Sequence, residues 1–229
     1  MPEQHKAGSG DGRAARWAGQ RSKRRAEMVD AAVAAISVHG PGVSTGQIAA
    51  QAGVPRPRLY RHFDDADDLY RAVARRAADL LSTSMSPVLE YRGGTAWELI
   101  ETGVRTFVIW LSEHTDLYRY VMHRAVQDTE GVGAMVTDIR AALAARISEI
   151  LRAYLNVLGL DTRIADPAAF GLIGLVESAA RRWMNEPNAL SREEFIHTVT
   201  GWVWGVVHHT LRDAGVELDP HEPLPSLPD

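Results

Sequence analysis

Apolar residues recur along this chain at spacings of three and four, and successive windows of that pattern predict helices from end to end. Val29, Val33 and Ile36 give a first helix, Arg25 to Gly40, its core stripe, and Gly40-Pro41-Gly42 breaks it. Ile48, Ala49 and Ala52 form one face of a short second helix behind the cap-type residues Ser44 and Thr45. Gly53 ends it, because glycine takes a left-handed backbone at no steric cost. Leu59 and Phe63, four apart, turn one face of a third short helix to the core. Asp65 caps a fourth that runs to about Ser84 with Leu69, Val73 and Leu80 buried, and Ser86-Pro87 and Arg92-Gly93-Gly94-Thr95 bracket a loop.

In the fifth helix Trp97, Ile100, Val104, Phe107, Val108 and Leu111 keep helical spacing, while Leu99, Ile109 and Trp110 lie off the stripe. A helix apolar on more than one face is central or lines a cavity. A short sixth helix, Asp116 to about Ala125, precedes a long seventh, near Gly131 to Leu158, whose stripe is Met135, Ile139, Leu143, Ile147, Ile150, Tyr154 and Leu158. Asp166-Pro167 opens an eighth that is apolar nearly all round (Phe170, Leu172, Ile173, Leu175, Val176) and interrupted by Gly171 and Gly174. Ser191 and Glu194 make a capping box for a ninth, which runs to about Gly215 and carries Trp202, Trp204, Val206 and Val207 with Gly201 and Gly205 four apart. Each helix-interior glycine costs about 1 kcal/mol, so a close approach must compensate. Gly171, Gly174, Trp202 and Gly205 are therefore expected at a subunit interface, two helices per protomer forming a four-helix bundle; a monomer core is the alternative. The proline-rich tail, with Pro220, Pro223, Pro225 and Pro228, can form neither a helix nor a central strand.

The pattern thus implies an all-α chain of about nine helices. Residues 1–20, polar and glycine-rich, read as a disordered arm, followed by a reading head over 21–65, a helical body over 66–215 and a tail over 216–229. The 229 residues are 45% hydrophobic, enough for a sizeable core. With no run of eighteen apolar residues and no charged-then-apolar leader, a cytoplasmic protein with no membrane partner is expected. The absence of cysteine excludes disulfides, thiolate metal sites and cysteine nucleophiles. A net charge of −4 argues against nucleic acid until its distribution is considered: residues 1–63 carry ten Lys/Arg and four Asp/Glu, a balance of +6, leaving −10 for the rest. A basic head on an acidic body is repelled by DNA everywhere except at the reading end.

That end is Ser44 to Leu69, which reads as a helix-turn-helix with Arg58, Arg61 and His62 together on one presented face. The stretch resembles the DNA-binding domain of the tetracycline-repressor-like (TetR) family of bacterial regulators. Ala49 and Gly53 stand four apart, and Leu59-Tyr60-Arg61-His62-Phe63 matches the family's Leu-Tyr-x-His-Phe run. Arg25 through Gly40 resembles the family's first helix, with its Ala-Ala pair and closing glycine, and residues 22–72 carry the likeness. Pro55 and Pro57 replace the family's usual Ser and Gly, which predicts an extended Arg56 and a helix starting at Pro57. The family's phosphate-binding lysine at the start of the fourth helix is replaced by Ala66 within Asp64-Asp65-Ala66-Asp67-Asp68, four carboxylates that repel a phosphate backbone. The residues expected at DNA are Arg24, Arg25, Ser44, Thr45, Gln47, Arg56, Arg58, Tyr60, Arg61 and His62. The cluster Arg21 to Arg25 reads equally as a phosphate-contacting arm or a solvated helix start.

The surplus apolarity of the fifth helix, with its expected neighbours, points to a pocket lined by Trp97, Phe107, Trp110, Tyr118, Met122, Met135 and Ile139, with His123 or Arg124 as polar anchors; a filled core is the alternative. His208-His209 has only Asp213 at ligand spacing, so no metal is expected, and no cofactor. No phosphate loop, nucleophile elbow or His-Glu-x-x-His motif is present, so no enzyme is expected. These readings together predict a homodimeric transcription regulator, a repressor by analogy with the resembled family. It would sit on a palindromic double-stranded operator and be released by a small hydrophobic or amphipathic effector. The alternative is a helical small-molecule-binding or catalytic protein whose basic head serves another partner.

Overall fold

Among the described residues the chain is a succession of nine α-helices with no strand: α1 (Asp11–His39), α2 (Thr45–Gln51), α3 (Arg56–Leu59), α4 (Ala66–Glu90), α5 (Ala96–Glu113), α6 (Thr115–Gln127), α7 (Ala134–Val157), α8 (Ala165–Asn185) and α9 (Arg192–Asp213). The computed structural model describes residues 11–90, 94–186 and 190–227, with side chains from Gly19 onward. The chain divides into two compact units, residues 1–77 with 116–133, and residues 78–115 with 134–229.

In the first unit α2 packs on α1 and α3 on α2. Met28, Val29, Ala32, Ala35 and Ile36 are the buried face of α1, so the core stripe runs through two alanines, and Val33 is only half-buried. Small residues there let α2 approach closely, with Ile48 and Ala49 buried. Gly40 and Gly53 adopt φ of +78° and +65°, the left-handed backbone that ends α1 and makes the turn after α2. α1 begins at Asp11, which corrects the disordered arm expected over 1–20 for residues 11–20; Ala14, Ala15 and Ala18 outweigh the glycines there because alanine has the highest helix propensity. Residues 1–10 lie outside the described residues.

The entry to α3 also differs from expectation. Pro55 is the extended residue (φ −63°, ψ 144°), and Arg56 is the first helical residue with Pro57 in the first turn. Proline is tolerated there because the N–H it lacks has no partner inside the helix anyway. Asp65 caps α4 as expected, its Oδ1 accepting from the Asp68 backbone N–H at 2.6 Å. The helix does not stop at Ser84, however: it continues to Glu90 with Pro87 inside its last turns. Arg92 and Gly93 of the expected loop fall outside the described residues.

α6 joins α7 through a tight π-helical segment, Thr129–Gly133. The Asp128 carboxylate accepts from the backbone N–H groups of Gly131 and Val132, at 2.9 and 3.0 Å. A Cβ at Gly131 would fall 2.1 Å from Asp128 Oδ2, so a larger residue there would displace the Asp128 carboxylate from this turn.

In the second unit α7 packs on α8, α5 on α9, and α8 on α9. The buried face of α7 is Val136, Ala144, Ser148 and Leu155, one position along from the expected stripe, whose members are half-buried. Two of these four, Ala144 and Ser148, are small, which suits the close packing of α7 on α8. The Ser191–Glu194 capping box of α9 is formed as expected. The tail is held down: Trp97 N donates to Pro220 O at 2.9 Å and Leu224 N to Gly94 O at 2.9 Å. Val216 and Leu218 pack on a cluster of Leu155, Ala165 and Leu211. Pro228 lies outside the described residues.

Candidate nucleic-acid interface

α2 and α3 form the two arms of the helix-turn-helix, and their surface follows from how each helix begins. Ser44 Oγ accepts from the Gln47 N–H, and Gln47 Oε1 accepts from the Ser44 N–H at 2.8 Å, a reciprocal cap that leaves both side chains exposed. The turn after Gly53 then directs α3 so that Leu59 is fully buried and Arg56, Arg58 and Arg61 are exposed. Among the described residues neither Arg58 nor Arg61 has a side-chain partner, so both guanidinium groups are available to an anion. Tyr60 is half-buried, its hydroxyl 3.5 Å from Thr45 Oγ1 and its ring 5.7 Å from the Arg56 guanidinium. The Thr45 hydroxyl first, and Arg56 second, hold the Tyr60 phenol below its ordinary pKa. Thr45, Tyr60 and Arg56 therefore form one connected surface across the two arms.

Two of the expected contact residues are engaged elsewhere. Arg25 pairs with Asp68 through two hydrogen bonds of 2.6 and 2.9 Å, donates to the His62 carbonyl, and lies 4.4 Å over the Phe63 ring. Its guanidinium belongs to the packing of the head and not to its outer face. The His62 ring is turned inward too, with Nδ1 buried and unpartnered. The same pairing changes the acidic run: the Arg25 hydrogen bond holds the Asp68 carboxyl below its ordinary value, and Asp65 caps the helix. The four carboxylates are thus not four free charges. Arg24 is exposed and paired with Glu27 at 2.9 Å.

The residues expected at an effector pocket fall in both units, Tyr118, Met122 and His123 in the first, and Trp97, Phe107, Trp110, Met135 and Ile139 in the second. Trp110 and Tyr118 are buried, Phe107, Met122, Met135 and Ile139 half-buried, and His123 exposed beside Gln127. Trp97 is taken up within its own unit, between His197 and His221 with both ring centroids at 5.5 Å, and its Nε1 donates to Glu101. Sequence reasoning missed Tyr70, whose ring carries the Arg124 guanidinium at 3.8 Å; a contact between residues this far apart leaves no periodic signal.

Gly171, Gly174 and Gly205 are exposed, and a Cβ at any of them would meet nothing within 4 Å beyond its own helix backbone. Phe170, Trp202 and Val206 beside them are 47%, 53% and 46% exposed. Among the described residues nothing packs against these glycines to offset their helix-propensity cost. Among the described residues no three His, Asp or Glu side chains could hold a metal ion, and no helix is long and apolar enough to cross a membrane.

Comparison with known proteins agrees with this geometry. The family model described as bacterial regulatory proteins, tetR family, matches residues 28–73. The chain is 30% identical to an uncharacterized HTH-type transcriptional regulator of Mycobacterium tuberculosis, over 94% of this chain and 91% of that one. It is 25% identical to the HTH-type transcriptional activator FasR of Mycolicibacterium smegmatis, over 82% and 85%. A TetR-family regulator structure from Streptomyces coelicolor superposes with a TM-score of 0.67 at 22% identity, over 85% and 86%. The chain belongs to the TetR family of DNA-binding transcription regulators, which are not enzymes.

Proposed function

We propose that this regulator acts in the cytoplasm as a homodimer on two-fold-related half-sites, repressing transcription until a small, largely apolar effector releases it. The observation that carries this reading is the exposed, unpartnered pair of Arg58 on α3 and Arg61 in the turn that follows it. Arg58 reads a base edge, and Arg61, Arg56, Arg24 and the caps Ser44, Thr45 and Gln47 hold the backbone, with Tyr60 between them. One head reads only half a site, so a second copy is required, and the exposed glycine and tryptophan face of α8 and α9 offers the contact. In this reading residues 21–65 are the head, and residues 66–215 bind the effector and dimerise.

Activation is the second reading, favoured by the activator among the relatives. The experiment has two arms. Purified protein selects fragments from its own genome at fixed salt, and an inverted repeat is expected. A reporter on the selected promoter should then rise when the gene is deleted. A fall would make the protein an activator; selection without any shared sequence would overturn specific operator binding.

A further inference from the structure

The cluster of Tyr70, Tyr120 and Arg124 is left with unused hydrogen-bonding capacity. Tyr120 is 1% exposed, and its ring meets Tyr70 edge-on at 6.1 Å. Arg124, one turn further along α6, lies 3.8 Å over the Tyr70 ring and 5.5 Å from the Tyr120 ring. Its Nη1 donates to Gln127 at 3.3 Å, but Nε and the Tyr120 hydroxyl are both buried without a well-formed hydrogen bond, the guanidinium being only near enough to the phenol to counter part of the effect of burial on it. Among the described residues no carboxylate pairs with Arg124. A buried polar atom without a partner is costly, and two in one cluster call for a missing acceptor.

The chemistry of the two groups defines that acceptor. Arg124 Nε–H can only donate. Burial holds the Tyr120 phenol well above its ordinary value, so it too keeps a proton to donate. Two donors in one buried cluster, one of them on a cation, match the two oxygens of a carboxylate in number and charge. Water could satisfy their geometry but would leave the cation uncompensated in a half-buried place.

We propose that Tyr120 and Arg124 are the anion-recognising part of the effector site and that the effector is an organic acid, a carboxylate on an apolar body. This rests on the reading of the protein as an effector-released regulator. It also supplies a route to the DNA. Tyr70, which carries the guanidinium, lies on α4 two residues beyond Asp68, the partner of Arg25 beside the end of α3. A carboxylate that orders Arg124 acts on the same turn of α4 that positions the reading helix, and it shifts DNA affinity to the extent that it favours one arrangement of that turn.

The test uses the whole 229-residue chain on its selected operator and pairs each acid with its methyl ester: octanoate, dodecanoate, benzoate and 2-naphthoate. Melting temperature and release from DNA are the readouts. At least one acid should bind about tenfold or more tightly than its ester, the size expected of a charge-assisted hydrogen bond. Arg124→Met should bring the two together while leaving ester binding as it was; a merely structural role would weaken both alike. Tyr120→Phe and Arg124→Lys, each retaining one of the two groups, should give intermediate ratios and serve if Arg124→Met does not fold. Esters that bind and release as well as acids would overturn the carboxylate site and leave the effector reading standing. An acid preference that survives Arg124→Met unchanged would also overturn it. If no compound shifts melting or releases DNA, both fall.

Discussion

Arg25 on α1 and Asp68 on α4, forty-three positions apart, are joined by two hydrogen bonds of 2.6 and 2.9 Å beneath the end of α3. The pair is partly shielded, with 33% of the arginine side chain and 14% of the aspartate side chain exposed. A basic cluster ahead of the first helix and an acidic run ahead of the fourth look, separately, like one asset and one liability for DNA binding. Joined, they become a brace for the reading head.

Breaking that brace should lower stability without removing a phosphate contact. Asp68→Asn should cost about 1.5–3 kcal/mol, the range for hydrogen bonds to charged groups, as a lower midpoint in denaturant. Because Arg25 depresses the Asp68 pKa, its contribution is fully present above the ordinary carboxylate value and is lost as pH falls through the folded value. Acid titration of wild type and variant should therefore converge at low pH. Curves that stay parallel would place the stabilising contact elsewhere.

Arg58 and Arg61 should separate by the kind of binding they lose. Arg58→Ala should cost about 1–3 kcal/mol and relax the preferred base at one position of each half-site. Arg61→Ala should weaken all sequences alike and lower the salt slope by about one. Arg25→Met should leave that slope unchanged, since its guanidinium is committed to Asp68. Titrations of operator and scrambled DNA at three salt concentrations distinguish the three.

Gly174→Glu should split the dimer and abolish operator binding while leaving the protomer folded, because among the described residues nothing lies within 4 Å of a Cβ at that position. Light scattering and circular dichroism report the two halves of the prediction. A variant that remains dimeric at micromolar concentration would move the interface off α8.

Truncation after Gly215 should lower the melting temperature, since Val216 and Leu218 leave the Leu155–Ala165–Leu211 cluster. Burying one such side chain fully is worth about 1.5–3 kcal/mol, and two half-buried ones together should approach that figure. Trp97 fluorescence should shift to the red as His221 is removed from its face. An unchanged spectrum and midpoint would mean that the tail contributes nothing to the fold.

The spacing of apolar residues, the caps Ser44, Asp65 and Ser191, and the breaks at Gly40 and Gly53 were sufficient for the helical class, the helix order and the helix-turn-helix. Caps and periodicity act within a few residues, so they can be read along the chain. The face chosen within a helix was less legible: α1 and α7 turn alanines and a serine to their partners, because close backbone approach favours small side chains over the large apolar ones that periodicity counts. The continuation of α4 through Pro87 was likewise hidden, since local signals alone mark Ser86-Pro87 as a stop.

Which charges are free was decided only in three dimensions. By itself the sequence determined that the head is basic, that Arg58 and Arg61 are presented together, and that glycines interrupt both α8 and α9; that α3 ends at Leu59 and leaves Arg61 in the following turn was not legible. The tertiary structure decided that Arg25 is bound by Asp68, that Arg124 rests on Tyr70, and that none of the described residues covers Gly171, Gly174 or Gly205. The reason is physical: an ion pair or a stacked cation depends on distance and burial between residues far apart in the chain, and neither leaves a period in the sequence.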